Sequence, residues 1–238
     1  MPSIPCYETR HLAAEVLATH RHRHAYAALV IDGGYVEHSF DGPIECRPGT
    51  LLLHPAFHAH GNRFGRARTR VINIELRNSI DFAHSHAWQV FDLREAGEIF
   101  ARCPDRLPSL LNRLELAAET RTVPAWQRAF VDALRDGDDA VAAIATRFGV
   151  SAAHASRALT KTYGMPPQAL RREGRWRRAL AALRNTDALA KIAVDSGFAD
   201  QSHFARICRA HSGLPPAALR RQIKCVQDQQ LRRVAEYA

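Results

Sequence analysis

The segment that follows residue 200 carries the side chains best suited to reading a nucleic acid. Gln201 can bridge an adenine and Arg206 a guanine through two hydrogen bonds each, and each such pair is worth about 1–3 kcal/mol of discrimination between bases. Ser202 and His203 suit either a base or a phosphate, and Arg209, on the same helical face as Arg206, suits a phosphate. Side chains of these types on one helix predict a surface that contacts DNA.

Two short helices would position these side chains. Residues 189–193 place apolar side chains on one helical face, and Gly197 ends that helix. Asp200 is a good N-cap for the second helix, whose inner face would hold Phe204 and Ile207. Such a pair is a helix-turn-helix, in which the second helix lies in the major groove with its N-terminal residues at the bases. We therefore count Asp200 among the candidate DNA-binding residues.

The same pattern occurs a second time upstream. Ile144–Gly149 maps onto Ile192–Gly197 at an offset of 48. After one inserted residue the match resumes at 49, where Arg157 corresponds to Arg206, Gly164 to Gly213, Pro166 to Pro215 and 170–172 to 219–221. An internal repeat in which caps, helix breakers and basic residues all recur indicates two related structural units.

The reading helix of the first unit is predicted at Ala152–Tyr163, with Ser151 as its cap. It begins with small side chains that offer methyl contacts at most, so we expect weaker base reading than in the second unit. Its candidate DNA-binding residues are Ala152, Ala153, His154, Ser156, Arg157 and Lys161.

Two such units joined by one helix resemble the DNA-binding half of AraC/XylS-type bacterial transcription regulators. The second copy, GFADQSHFARICRAHSGLPPAALR, is similar to the signature of that family, and the resemblance covers roughly residues 124–223. It implies a cytoplasmic, sequence-specific regulator and not an enzyme, with double-stranded DNA as its partner, RNA polymerase as a candidate partner and a homodimer as its assembly. In this family the arginine at the positions of Arg157 and Arg206 can instead pair with a carboxylate or the backbone and stabilise the fold.

Four positions depart from the usual pattern of the family. Cys208 stands where a Phe is usual and Leu219 where a Tyr is usual, whereas Ala155 and Leu159 replace larger apolar residues. All four are expected core positions, so the departures concern packing more than DNA contact.

The rest of the C-terminal half is predicted to be helical. Pro167 opens a long helix through about Arg184, whose roughly 18 residues would span about 27 Å and could set two reading helices in successive major grooves about 34 Å apart. Asp187 is the predicted cap of the next helix. Further helices are predicted at 125–134, 140–148, 201–211 and 216–224, before a tail at 224–238. Pro124 is expected in the first turn of the first of these helices. The expected phosphate-positioning charges, each individually expendable, are Lys161, Arg171, Arg172, Arg175, Arg177 and Arg178.

The excess positive charge is confined to this half. From Pro124 to Lys224 there are 17 Lys and Arg against 8 Asp and Glu, whereas the rest of the chain carries 16 of each. A basic segment that coincides with a repeated helix-turn-helix indicates polyanion binding. Non-specific nucleoid binding is an alternative, and it predicts a steep salt dependence with little sequence preference.

Cysteine usage and hydropathy favour the cytoplasm. The five cysteines, at 6, 46, 103, 208 and 225, are odd in number and form no CxxC pair, which indicates reduced thiols. No apolar run approaches the roughly 20 residues needed to span a bilayer, and we expect no signal peptide before Cys6. No membrane association is expected.

The N-terminal half has the period of strands. Ala25–Ile31 is typical of a buried strand, Asp32-Gly33-Gly34 of a turn, and Tyr35–Phe40 of the return strand. Further strands are predicted at 44–47, 50–54 and 69–76, whereas residues 1–20 have little certain structure and 88–103 are ambiguous. Short strands separated by glycine turns predict a small antiparallel β-barrel or sandwich, so the fold class is α+β.

The predicted domains are a sensor domain at 1–100 and a DNA-binding domain at 124–223. Residues 101–123 would form a helical linker or dimerisation segment, because Leu110, Leu111 and Leu114 share one apolar face of a helix at 107–120. In AraC-type regulators a helix in this place commonly packs against its copy in a second chain, and packing on the barrel is the alternative.

Ten of the 13 histidines fall within the first 86 residues, many of them in HRHRH at 20–24 and HPAFHAH at 54–60. The second group resembles the second cupin motif through Gly49, Pro55 and His60, although Phe residues stand at that motif's Gly and Asn positions. His22 and His24 resemble the first cupin motif, whose Glu is absent. With His60 they could form a three-histidine site for a divalent metal such as zinc, iron or nickel.

Sensor barrels of AraC-type regulators usually hold an organic effector and no metal, so the resemblance implies no fixed cofactor. The alternative to a metal is a polar pocket for a small-molecule effector, lined by His22, His24, Tyr26, Glu37, His58 and His60. Histidines that titrate near neutrality would make binding pH dependent. A function from another class is a metal-dependent cupin enzyme, an isomerase or dioxygenase with an accessory helical half.

Overall fold

The computed structural model describes residues 6–76, 85–103, 106, 110 and 122–225. The chain divides into two compact units, of which the first holds the strands and the second holds most of the helices after Val123. No helix in the described part of the chain is long and apolar enough to cross a membrane.

The described N-terminal residues form nine strands and one helix. The strands are β1 Cys6–His11, β2 Val16–Arg21, β3 Ala25–Asp32, β4 Tyr35–Ser39, β5 Gly42–Cys46, β6 Thr50–His54, β7 Ala59–Phe64, β8 Thr69–Leu76 and β9 His86–Gln89, and the helix is α1 Leu93–Arg102. One sheet has the order β1-β8-β3-β6-β9 and the other β2-β7-β4-β5, with antiparallel pairing between neighbours. The predicted α+β class, with an antiparallel β unit first, is confirmed.

Strand β3 is the central strand of its sheet. It pairs with β8 on one side and β6 on the other, and every residue from Ala25 to Val30 is buried. The predicted hairpin between β3 and β4 is wrong, because β4 pairs with β5 and β7 in the other sheet. A continuous apolar run needs partners on both edges, and the glycine turn after Asp32 carries the chain across to the second sheet.

The expectation of little structure before residue 20 is also wrong. Strand β1 pairs with β8, where Cys6 faces Ile74, and β2 pairs with β7, where Val16 faces Arg63. Both strands are largely exposed or half-buried, so their apolar periodicity is weak. The ambiguous stretch 88–103 contains the end of β9 and then α1, whose N-cap Asp92 accepts a hydrogen bond from the backbone N–H of Glu95 at 2.9 Å.

The helices of the second unit are close to those predicted. They are α2 Ala125–Asp136, α3 Val141–Arg147, α4 Ala152–Tyr163, α5 Pro167–Ala182, α6 Leu189–Asp195 and α7 Gln201–Ser212, and residues 216–225 are helical as well. Helix α5 has 16 residues and is about 24 Å long. The helix predicted at 107–120 lies outside the described residues except at Leu110, and so does most of the tail.

Two predicted helix starts need correction. Helix α6 begins at Leu189 with Ala188 at its N-cap position and no side-chain cap, so the prediction that Asp187 caps it is wrong. The backbone carbonyl of Asp187 instead accepts a hydrogen bond from Arg220 at 2.6 Å. Pro124 occupies the N-cap position of α2 and not its first turn.

The core of the helical unit is apolar and includes the unusual positions of the repeat. Trp176, Phe130 and Phe204 are fully buried large side chains. The four positions that depart from the family pattern, Ala155, Leu159, Cys208 and Leu219, have no exposed surface either. Their assignment to the core is confirmed. Cys208 is therefore a packing residue, and its burial raises the pKa of the thiol.

Candidate functional site

The two helix-turn-helix units share one turn geometry. Gly149 and Gly197 follow α3 and α6 with φ values of 65° and 86°, in the left-handed region that favours glycine. The residue after each glycine donates its N–H to the carbonyl five positions earlier, at 3.1 Å in the first unit and 2.9 Å in the second. This Schellman-type ending recurs at the offset of 48 found in the sequence.

Each reading helix is capped as predicted. Ser151 Oγ accepts a hydrogen bond from the backbone N–H of His154 at 3.1 Å, and Asp200 Oδ1 accepts one from the backbone N–H of His203 at 2.6 Å. The Asp200 carboxylate is thus engaged with the first turn of α7. The His203 ring stands edge-on to Phe198, with centroids 5.5 Å apart, and is half-buried.

The other candidate DNA-binding side chains lie on the outer faces of α4 and α7. On α4, Ser156 is half-buried, and the exposed ones are Ala152, Ala153, His154, Arg157 and Lys161. On α7 the exposed ones are Gln201, Ser202, Arg206 and Arg209. Each helix therefore presents its N-terminal turn to solvent, which is the end that a major-groove helix directs at base edges.

Arg157 and Arg206 are exposed, and within residues 122–225 neither guanidinium makes a hydrogen bond or an ion pair. The alternative in which these two arginines stabilise the fold is therefore not seen in the described part of the chain. Both side chains can turn toward a ligand without breaking an existing contact.

A different pair of repeat arginines stabilises the fold. Arg171 Nη2 donates to the backbone carbonyl of Asp139, and Arg220 Nη2 donates in the same way to Asp187. The two carbonyls are 48 residues apart and the two arginines 49 apart, as in the sequence repeat. In each unit an arginine thereby fixes the turn that precedes the positioning helix.

Most arginines of α5, which were expected to be expendable phosphate contacts, make contacts within the helical unit. Arg175 pairs with Asp138 at 2.6 Å, and Arg177 pairs with the buried Glu173 at 3.1 Å. Arg178 donates to the carbonyl of Ser196 at 3.1 Å and to that of Arg135. Carbonyls at helix ends lack intrahelical donors, so the Arg178 guanidinium satisfies two of them. Of the predicted set on α5, Arg172 is the exposed one.

The β unit brings five ionisable side chains together. His20, His22 and His60 each offer one nitrogen, and these nitrogens lie within 4.8 Å of one another. A second group, with its ligand atoms equally close together, consists of Glu37, His54 and His60. His60 therefore belongs to both groups. We call these five residues the histidine cluster.

Glu37 lies at the buried end of the histidine cluster. Its side chain has no exposed surface, and its Oε2 stands 2.7 Å from His54 Nε2. The alignment of these two atoms does not make a hydrogen bond, and neither carboxylate oxygen has another hydrogen-bond donor among the described residues. Burial raises the pKa of Glu37 to about 7.

Burial favours the neutral form of three histidines of the cluster, His22, His54 and His60. Burial, reinforced by neighbouring histidines, lowers the pKa of His22 to about 4 and that of His54 to about 3. The pKa of His60 is lowered well below its usual value for the same reasons. Tyr26 Oη lies 3.1 Å from His60 Nε2 and orients that ring. Neutral imidazoles are the form that ligates metals.

The structure brings together part of the predicted pocket. His22, Tyr26, Glu37 and His60 meet, whereas His24 does not, because β2 ends at Arg21 and residues 22–24 turn into β3. The alternation of a strand therefore does not extend to residue 24. His58 is buried in the turn between β6 and β7, outside the histidine cluster.

Sequence reasoning missed His20 and His54. His20 and His22 are two residues apart in HRHRH, so they lie on the same face of a strand, and the sequence could have indicated His20 as well. His54 ends a uniformly apolar strand, where the sequence does not show which face is inward, and its backbone is paired with Tyr26 on β3.

The family that matches this chain concerns the helical unit. The model of a family described as "Helix-turn-helix domain" matches residues 144–222, which is a third of the 238-residue chain. No curated protein sequence gives a significant match.

Three solved structures show a distant likeness. ToxT from Vibrio cholerae O395 has 11% identity and a TM-score of 0.42, over 93% of this chain and 98% of that one. The C-terminal domain of AraT, a response regulator from Geobacillus stearothermophilus, has 21% identity and a TM-score of 0.39, over 43% and 88%.

A mutant salicylate 1,2-dioxygenase from Pseudoaminobacter salicylatoxidans has 20% identity and a TM-score of 0.28, over 30% and 22% of the two chains. All three similarities are too distant to support an inference about function. The family match and the duplicated turns, caps and arginine contacts are independent of them. Residues 144–222 therefore form a helix-turn-helix domain.

Proposed function

We propose that the chain is a sequence-specific transcription regulator that contacts double-stranded DNA through α4 and α7. The observation that carries the proposal is the duplication of a capped reading helix, each copy with an exposed N-terminal turn and an unengaged arginine one and a half turns further on. A single exposed helix is common in proteins, whereas two with the same turn and cap are the arrangement that two half-sites on DNA require.

The two helices differ in what they can read. Helix α7 presents Gln201 and Arg206, whose paired donors and acceptors match adenine and guanine edges. Helix α4 starts with Ala152 and Ala153, which offer methyl groups for contact with thymine. Base discrimination is therefore concentrated in the second unit, and the first unit contributes mainly through Arg157 and Lys161.

Control by a ligand is the second part of the proposal. The β unit would bind a small effector at the histidine cluster, and the effector would alter DNA binding by the helical unit. This requires that the ligand bind the two functional states with different affinity. The proposal further includes a cytoplasmic location, a homodimer and RNA polymerase as a partner.

The test is electrophoretic mobility of DNA from upstream of the protein's own gene. We expect a specific shift with the parent protein and its loss, or a changed sequence preference, with Gln201→Ala and Arg206→Ala. Arg128→Ala is the matched control, because Arg128 is an exposed arginine on α2, outside both reading helices. Binding that survives both α7 changes with an unaltered preference would reject the assignment.

The histidine cluster also favours a second candidate, a metal-dependent enzyme of the cupin type. Its groups offer imidazole ligands and a carboxylate that titrates near neutrality. Stoichiometric iron or nickel in the purified protein, together with consumption of dioxygen or isomerisation of a substrate, would place this function above the first. Bound metal without catalytic activity would leave the transcription regulator as the better assignment.

A further inference from the structure

We propose that His20, His22 and His60 bind one divalent transition-metal ion of the zinc class, and that this ion is the effector of the regulator. The second half of this inference rests on the proposed function, whereas the first half concerns the β unit alone. The ligand set differs from the one that the sequence motifs indicate, because His20 replaces His24.

The spacing of the three nitrogens suits a small cation. They lie within 4.8 Å of one another before any ion is bound. Ligand atoms in a tetrahedral zinc site stand about 3.4 Å apart, since each is about 2.0–2.1 Å from the metal. Binding therefore requires the nitrogens to approach one another by at most about 1.4 Å, and two of the three side chains, His20 and His22, are only half-buried.

A hydrogen bond behind the His20 ring favours a tautomer that can bind a metal. Its Nδ1 lies 2.8 Å from the backbone carbonyl of Ala18, which can only accept a hydrogen bond. In a neutral His20 ring this contact favours the proton on Nδ1, which leaves the lone pair of Nε2 for an ion. Metal-ligating histidines are commonly fixed in this way by a carbonyl behind the ring.

The buried carboxylate of Glu37 also favours a cation at this place. Glu37 is fully buried, its two oxygens have no hydrogen-bond donor among the described residues, and it faces His54 beside His60. An ionised carboxylate without compensation is costly in such a place. A divalent cation a few ångströms away would offset that cost, and Glu37 would then act through His54 and His60 as a counter-charge behind the ligands.

The donor set identifies the class of ion. Three neutral imidazoles suit zinc, nickel, iron or copper, whereas magnesium and calcium prefer oxygen ligands. Three protein ligands leave one coordination position open for water or a small anion. The partial exposure of His20 and His22 gives an ion a path to the site.

The test uses the full-length protein and Co²⁺ as a spectroscopic probe, followed by competition with Zn²⁺. We expect one Co²⁺ per chain, with visible absorption bands of a tetrahedral or five-coordinate site. His20→Ala and His22→Ala should each weaken binding by about 100-fold or more, beyond the roughly 10–100-fold that loss of an outer-shell partner costs. Because both side chains are half-buried, these variants are expected to fold.

Two further variants separate the roles of neighbouring groups. His24→Ala is the matched control, because His24 lies in the same HRHRH run but outside the cluster, and it should bind Co²⁺ as the parent does. Glu37→Gln should weaken binding by about 10–100-fold while the bands persist. Absence of a Co²⁺ site, or equal affinity in His22→Ala and the parent, would overturn the assignment of the ligands.

The same preparations are then assayed for binding to the upstream DNA, with a chelator and with Zn²⁺. A changed DNA affinity that His22→Ala abolishes would support the ion as effector, and an unchanged affinity would overturn that role. A protein that binds DNA but no ion contradicts this inference alone. A protein that binds the ion but no DNA contradicts the proposed function and leaves the metal site standing.

Discussion

The guanidinium group of Arg171 donates a hydrogen bond to the backbone carbonyl of Asp139, just ahead of α3. Arg220 makes the same contact with Asp187 just ahead of α6. The repeat thus preserves a tertiary contact as well as helices and turns. The basic residues of the helical unit therefore form two groups, those that stabilise the fold and those that remain exposed for DNA.

Arg171→Ala should destabilise the helical unit. The side chain is buried, and hydrogen bonds that involve a charged donor contribute about 1.5–3 kcal/mol, so we expect a loss of that size in the free energy of unfolding. The neighbouring Arg172 is exposed, and Arg172→Ala should change stability by no more than about 0.5 kcal/mol. Urea unfolding of both variants measures the difference. Equal losses would contradict a structural role for Arg171.

Gly197→Ala and Gly149→Ala should differ although they occupy equivalent turns. Both positions have a positive φ, which costs about 1–2 kcal/mol for a residue with a Cβ. A Cβ at Gly149 would meet nothing within 4 Å, whereas one at Gly197 would stand 3.1 Å from Arg175 Nε. Gly197→Ala must therefore also displace a side chain that pairs with Asp138. Thermal unfolding should show the larger loss for Gly197→Ala, and the reverse order would contradict the turn geometry.

Arg206→Ala and Arg209→Ala should weaken DNA binding in different ways. Loss of a base contact at Arg206 should relax sequence preference at one position by about 1–3 kcal/mol. Loss of a phosphate contact at Arg209 should weaken binding to all sequences alike and reduce the salt slope by about 1. Fluorescence anisotropy over a salt series, with matched and mismatched duplexes, measures both quantities. If Arg206→Ala reduced the salt slope and Arg209→Ala relaxed the sequence preference, the roles of the two arginines would be reversed.

Glu37→Gln should alter the dependence of stability on pH in the presence of a chelator. The pKa of Glu37 rises from 4.5 to about 7 on folding, so its contribution to stability is complete below pH 4.5 and is lost as the pH rises through 7. His22 and His54 have lowered pKa values of about 4 and 3, so their contributions have the opposite sign and are lost as the pH falls below 6.5.

Glutamine does not titrate, so the variant lacks the loss of stability that ionisation of Glu37 causes in the parent protein. The Tm of Glu37→Gln minus that of the parent should therefore increase between pH 5 and pH 8. Scanning calorimetry at the two pH values tests this. The same Tm difference at both would show that Glu37 titrates normally in the folded protein.

The helical half could be predicted closely because its boundaries are set by local chemistry. Ser151 and Gly164 mark both ends of α4, and Asp200 marks the start of α7. The cap of α6 was predicted wrongly because Asp187, whose side chain can cap a helix, lies one position before the N-cap residue Ala188. Nothing local identifies Arg171 as a contact of Asp139, because that bond joins residues 32 apart.

The β half was harder because strand pairing is not local. The turn after Asp32 predicted a hairpin, yet a glycine turn can equally lead to another sheet, as it does here between β3 and β4. His24 was placed by extending the alternation of β2 beyond Arg21, where the strand ends. His54 and Glu37 come from different sheets, so only the packing of the two sheets brings them within 2.7 Å.

Selection of bound sequences from a random pool of double-stranded DNA distinguishes sequence-specific from non-specific binding, with the parent protein and Arg206→Ala compared in parallel. We expect one enriched motif with two parts about one helical turn, or 10–10.5 base pairs, apart, and a variant that loses preference in one part only. Retention of DNA without any enriched motif, and with affinity set by salt alone, would contradict sequence-specific binding.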